Sequence, residues 1–140
     1  MKPIAAAQLV PIQLYPLYGC KINAGFPSPA DDYIESRLDL NEYLVRHKEA
    51  TFFLRVKGDS MAGANIHDGS LLIVDRAAEP RHGDIVVAVV NGELTVKRLY
   101  RRDGLVKLLA ESESYPEILI KPESDLVVWG VVQHVVHTFG

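Results

Sequence analysis

The 140-residue chain predicts a mainly β fold, and three observations carry that expectation. Between residues 51 and 137, short runs of apolar or alternating side chains follow one another, each closed by a turn signal. Two of these runs flank Asn91-Gly92, a strong two-residue signal for a β-hairpin. Ahead of them, Pro3, Pro11, Pro16 and Gly19 deny the first 24 residues a continuous helix.

In chain order, residues 1–24 read as an extended arm whose apolar side chains, Leu9 to Tyr18, need a surface to lie on. The arm is too short and irregular for a helix-turn-helix. Residues 25–32 form a proline-rich linker, and at Ala24-Gly25 two small residues leave room for a close backbone approach. One short helix is expected over 39–47. Asp39 can cap it, Glu42 follows three residues on, and Leu40, Tyr43, Leu44 and His47 share a face. Strands are expected over 51–57, 70–75, 84–90, 93–100, 105–110, 118–121 and 126–137. Their close spacing favours antiparallel connections. The chain thus divides into an arm (1–24), a linker with a short helix (25–50) and a β-rich body (51–140).

Composition narrows the function. A net charge of −3 and a pI near 5.9 argue against a dedicated nucleic-acid binder. The one cysteine, Cys20, cannot form an intramolecular disulfide, which fits a reducing compartment. No apolar run approaches the length of a membrane span, and the N-terminus lacks the apolar core of a signal peptide.

The chemistry centres on Gly58-Asp59-Ser60-Met61, a polar turn directly after the apolar run 51–57. Such a turn lifts a serine hydroxyl clear of a sheet, although turn serines commonly bond only their own backbone. Lys97 sits in the second strand of the Asn91-Gly92 hairpin. Alternation puts it on one face with Thr95 and Leu99, while Leu94, Val96, Arg98 and Tyr100 take the other. Two readings of Lys97 are open: a snorkelling surface cation, or a buried neutral amine acting as base to Ser60. Neutrality at pH 7 costs an ordinary lysine about 4.6 kcal/mol, which burial among residues such as Val87, Leu94, Val96 and Leu99 can supply.

Other candidates are weaker. His134 and His137 stand three apart on opposite strand faces, and no Cys-x-x-Cys or second ligand cluster accompanies them, so no metal or other cofactor is expected. Asp31-Asp32 and Glu111 with Glu113 read as surface acids, and Arg98, Arg101 and Arg102 as a solvated strand end. Trp129 suits either the core or a dimer face.

The order and spacing of several pieces resemble the UmuD family, relatives of the self-cleaving domain of the LexA repressor. These pieces are Gly25-Phe-Pro-Ser-Pro-Ala30, Asp32-Tyr33, Asp39-Leu-Asn41, Gly58-Asp-Ser-Met61, Asp68-Gly69 with Leu71-Leu-Ile-Val-Asp75, His82-Gly-Asp-Ile85, Thr95-Val-Lys97 and Gly130-Val-Val132. The resemblance runs over nearly the full chain. It implies curved, mostly antiparallel sheets of the LexA and signal-peptidase kind, Ser60 as nucleophile and Lys97 as general base. It also implies that the substrate is the chain's own Ala24–Gly25 bond and that the protein is a homodimer. The oxyanion is expected to rest on the backbone N–H groups of Asp59 and Ser60. The resemblance further implies slow cleavage alone, stimulation by the RecA filament on single-stranded DNA, and action of the trimmed dimer with UmuC in error-prone translesion synthesis in the bacterial cytoplasm. UmuD relatives often carry Cys-Gly at the cleaved bond; here it is Ala-Gly, as in LexA-type proteins, and Cys20 precedes Lys21. The alternatives are a LexA or phage-type repressor, a signal-peptidase relative, and a β-rich interaction module without catalysis.

Overall fold

A computed structural model describes residues 12–19 and 34–139. The chain divides into two units, meeting between Tyr43 and Leu44. In the first, β1 (Leu14–Tyr18) pairs antiparallel with β2 (Ile34–Asp39), which leads directly into α1 (Leu40–Leu44). Asp39 caps α1: its Oδ1 accepts the N–H of Asn41 at 3.0 Å and that of Glu42 at 3.4 Å.

The helix expected over 39–47 is shorter, for a physical reason. Five residues are too few to propagate a helix unaided. His47 has a stronger partner elsewhere, since its Nδ1 lies 2.6 Å from Oδ2 of Asp75. The His47 carbonyl accepts from Thr51 Oγ1 at 2.7 Å, and a single 3-10 turn (Lys48–Ala50) delivers the chain into the next strand. Strand β2, Ile-Glu-Ser-Arg-Leu-Asp, shows neither an apolar run nor apolar–polar alternation, so periodicity does not mark it.

The second unit is a seven-stranded antiparallel sheet in the order β3-β4-β9-β5-β6-β7-β8. Its strands are β3 (Thr51–Arg55), β4 (Leu71–Asp75), β5 (Ile85–Val90), β6 (Glu93–Arg102), β7 (Leu105–Leu109), β8 (Ile118–Ile120) and β9 (Leu126–Val136). The seven expected runs are therefore all strands, with ends shifted by one or two residues. The mainly β, mostly antiparallel architecture stands as expected, with one short α-helix among the described residues. The β5–β6 hairpin turns on Asn91 (φ 48°) and Gly92 (φ 85°), both left-handed, as a type I′ turn requires.

Two apolar clusters hold the sheet. Val86, Ala88, Val90, Leu99, Leu108 and Val131 form one. Met61, Ile66, Leu72, Val74 and Val87 form the other, and Met61 brings the loop after β3 into the core. The central strands β4 and β9 approach closely where Gly130 lies: a Cβ there would sit 2.7 Å from Val74 Cγ1. The register slips at Ile73/Val74 and at Val87/Ala88, local irregularities in the ladders that β9 forms with β4 and β5. Trp129 is half-exposed rather than buried, meeting the Phe52 ring edge-on at 6.2 Å with the Arg76 guanidinium over its face.

Strand β6 changes partner along its length. Residues 93–98 pair with β5 on one side, and from Arg98 onward β6 pairs with β7 on the other. Among the described residues, the β7-side edge of residues 93–97 carries no strand. Leu94, Thr95 and Val96 of that stretch line one cleft with Ser60 and Met61.

Candidate active site

The Ser60 loop is shaped from both ends. Gly58 takes a left-handed φ of 91°, which turns the chain sharply out of β3. Its N–H donates to Asp68 Oδ1 at 2.8 Å, and the Asp68 N–H donates to Asp59 Oδ1 at 3.2 Å. These two aspartates clasp the base of the loop. The Ala62 N–H bonds the Asp59 carbonyl, and the N–H groups of Ala64 and Ile66 both reach the Met61 carbonyl. Met61, 2% exposed, bolts the turn to the apolar cluster beneath it, so the half-buried Ser60 sits on a fixed pedestal.

Lys97 lies on β6 opposite Val86 and is 8% exposed. Its Nζ donates to Ser60 Oγ at 2.8 Å. Among the described residues no carboxylate pairs with it. Burial alone therefore acts on the amine, pushing its pKa below the ordinary lysine value of 10.5 by disfavouring the charged form. Lys97 is thus buried rather than a surface cation. Among the described residues, the N–H groups of Asp59 and Ser60 have no backbone acceptor. A cleft of about 250 Å³ opens beside Ser60, lined by Leu54, Val56, Leu94 and Val96 with Arg55 and Lys57 at its margin. The Ala24-Gly25 junction lies outside the described residues.

Several contacts escaped the sequence. Glu111, expected to be a surface acid, lies against the Ser60 turn and pairs through Oε1 with Arg98 Nε. Arg98 is accordingly half-buried rather than part of a solvated strand end; only Arg101 and Arg102 are exposed. Such pairs depend on which strands adjoin, which spacing along one chain does not reveal. His47 and Asp75 likewise join elements 28 residues apart. His137 follows the last strand and spans from the Asn65 carbonyl, 2.8 Å from Nε2, to Ser70 Oγ, 3.4 Å from Nδ1. Among the described residues no three His, Cys, Asp or Glu side chains gather as a metal site would need.

Known proteins are similar to this chain in sequence. The Peptidase S24-like family pattern matches residues 16–133. Protein ImpA of Salmonella typhimurium is 48% identical over 122 residues, 87% of this chain and 83% of its own. Protein MucA of Escherichia coli is 48% identical over 120 residues, 85% of this chain and 82% of its own. Protein SamA of Salmonella typhimurium is 44% identical over 135 residues, 96% of this chain and 94% of its own. With the fold, the extent of the match and these relatives together, the chain belongs to the Peptidase S24-like family, in its UmuD-like branch.

Proposed function

We propose that the chain is a self-cleaving serine peptidase of the bacterial DNA-damage response, with Ser60 as nucleophile and Lys97 as general base. The observation that supports it most is the 2.8 Å contact between the Ser60 hydroxyl and a buried lysine that has no acidic partner among the described residues. A neutral Lys97 has a lone pair aimed at the hydroxyl proton. It takes that proton as Ser60 Oγ attacks the Ala24 carbonyl carbon. The N–H groups of Asp59 and Ser60 receive the developing oxyanion. When the Ala24–Gly25 bond breaks, the ammonium of Lys97 returns its proton to the leaving Gly25 nitrogen. Water then attacks the Ala24 ester, giving its proton to Lys97; the bond from the acyl carbon to Ser60 Oγ breaks, Lys97 passes that proton to Oγ, and residues 1–24 depart with a free carboxylate. The open edge of β6 at residues 93–97 suits a substrate presented as extended backbone.

On this reading the trimmed product, residues 25–140, is a homodimer. Cleavage is stimulated by the RecA filament on single-stranded DNA, and the product acts with a UmuC polymerase subunit in translesion synthesis. The acidic chain recognises proteins rather than a DNA sequence. No helix among the described residues is long and apolar enough to cross a membrane, and the reading places the protein in the cytoplasm.

The test is direct. The purified chain is incubated over a range of pH and followed by mass spectrometry. The expected result is loss of residues 1–24 at a rate that climbs about tenfold per pH unit until Lys97 is neutral. Ser60→Ala and Lys97→Ala should remain intact. Cleavage in Ser60→Ala, or a rate flat from neutral to alkaline pH, would overturn the mechanism. RecA with single-stranded DNA and a nucleoside triphosphate should raise the neutral-pH rate; no increase would detach the chemistry from the damage response.

A further inference from the structure

We propose that the Arg98–Glu111 ion pair is a positioning strut that holds the Ser60 turn against the strand carrying Lys97; this rests on the Ser60–Lys97 reading above. Glu111 grips the turn with its backbone at two points. Its N–H donates to the Ser60 carbonyl at 2.8 Å, and its carbonyl accepts the Gly63 N–H at 2.7 Å. These bonds bracket the segment from Ser60 to Gly63. The aspartate clasp secures only the side of the turn before Ser60, so Glu111 fixes the side after it. Gly63 is cut to this contact, because a Cβ there would stand 2.6 Å from the Glu111 carbonyl oxygen.

The side chain of Glu111 is held in turn by Arg98 Nε, while Arg98 Nη1 donates to the Gly83 carbonyl at 2.6 Å. Arg98 directly follows Lys97, and it is the residue at which β6 passes from β5 to β7. One ion pair therefore joins the base-bearing strand to the nucleophile-bearing turn. The Ser60 carbonyl, fixed by the Glu111 N–H, sets the peptide plane from which the Ser60 side chain projects. A rotation of that plane would carry Oγ out of reach of Nζ, and losses of this kind are steep in positioned chemistry. Neither partner touches the reacting atoms; both act through Ser60 and the turn.

The alternative role for these charges is electrostatic. Arg98 disfavours a proton on Lys97 and Glu111 favours one, so removing them one at a time would shift the pH midpoint of cleavage in opposite directions. Positioning predicts something different. Glu111→Ala and Arg98→Ala should each lower the alkaline plateau rate of the full chain roughly ten- to a hundredfold, without opposed midpoint shifts. Gly63→Ala, which leaves every charge in place, should lower it likewise. The reversed pair, Arg98→Glu with Glu111→Arg, should recover part of the loss. Rates are taken below the melting temperature of each variant, and Glu111→Gln, which keeps the backbone bridge and a neutral acceptor for Arg98, substitutes should Glu111→Ala not fold, with a smaller loss expected. Parent plateau rates in the Glu111 and Gly63 variants, or opposed midpoint shifts at an unchanged plateau, would overturn the strut. Ser60→Ala and Lys97→Ala are run alongside. If both are inert while the strut variants cleave at the parent rate, only the strut fails; cleavage in Ser60→Ala would remove the reading beneath it as well.

Discussion

Truncating Met61 tests the idea that the nucleophile turn is fixed by the core rather than by its own hydrogen bonds. Met61 is 2% exposed and packs with Ile66, Leu72, Val74 and Val87, each fully buried. Met61→Ala removes Cγ, Sδ and Cε from this cluster. At about 0.8 kcal/mol per buried methylene-sized group, the lost transfer energy is about 2.4 kcal/mol. Leu72, Val74 and Val87 are held in hydrogen-bonded strands and cannot collapse into the space, so a cavity term adds to it. The expected total is about 3–4 kcal/mol, within the range of large-to-small core substitutions. For a folded unit of this size that lowers the melting temperature by roughly 12–30 °C. Urea unfolding followed by circular dichroism gives the free energy, with an unchanged m-value showing that the denatured state is not the cause. Met61→Leu, near in volume, should cost about 1.5 kcal/mol or less. Self-cleavage below the melting temperature should fall in Met61→Ala and be largely retained in Met61→Leu. A loss under about 1 kcal/mol in Met61→Ala, or cleavage at the parent rate, would refute the pedestal.

Two further outcomes follow from the titrating groups. The folded-state pKa of Lys97 lies below its ordinary 10.5, so the unfolded chain binds more protons between those values and this group makes stability rise with pH across that window. Lys97→Met should therefore be more stable than the parent at neutral pH, with the advantage shrinking toward pH 10 in urea titrations. A less stable Met variant at pH 7 would refute burial of the charge as a cost. For Asp75, burial opposes ionisation, but the hydrogen bonds from His47 and Ala77 and the His47 charge outweigh it, so its pKa falls below 3.8. Its stabilisation is present above that value and lost as pH drops through the folded one. Asp75→Asn should cost about 1–3 kcal/mol at pH 7 and flatten the acid side of the stability curve; an unchanged acid limb would refute it.

Most of the sheet was legible because its determinants are local. Apolar or alternating runs mark each strand from 51 to 137, and Asn91-Gly92 specifies its hairpin by backbone conformation alone. Strand β2 and the early end of α1 were not legible, since the helix signal at Asp39 overlaps the last strand residue and His47 answers to a distant Asp75. Ser60 and Lys97 could be singled out by residue type and setting, yet their 2.8 Å contact is a product of topology. Glu111 was misread for the same reason: nothing in its own neighbourhood announces that its backbone closes the Ser60 turn.

The partner change of β6 carries a consequence for recognition. Among the described residues no strand covers its β7-side edge at 93–97, and Leu94, Thr95 and Val96 line a cleft of about 250 Å³, a surface suited to extended main chain. Such a surface binds a diffusing peptide weakly. A segment on the same chain arrives at an effective concentration in the millimolar range, set by its tether. On the self-cleaving reading, selectivity is then a matter of attachment: the cleft can stay undemanding because its substrate never has to find it.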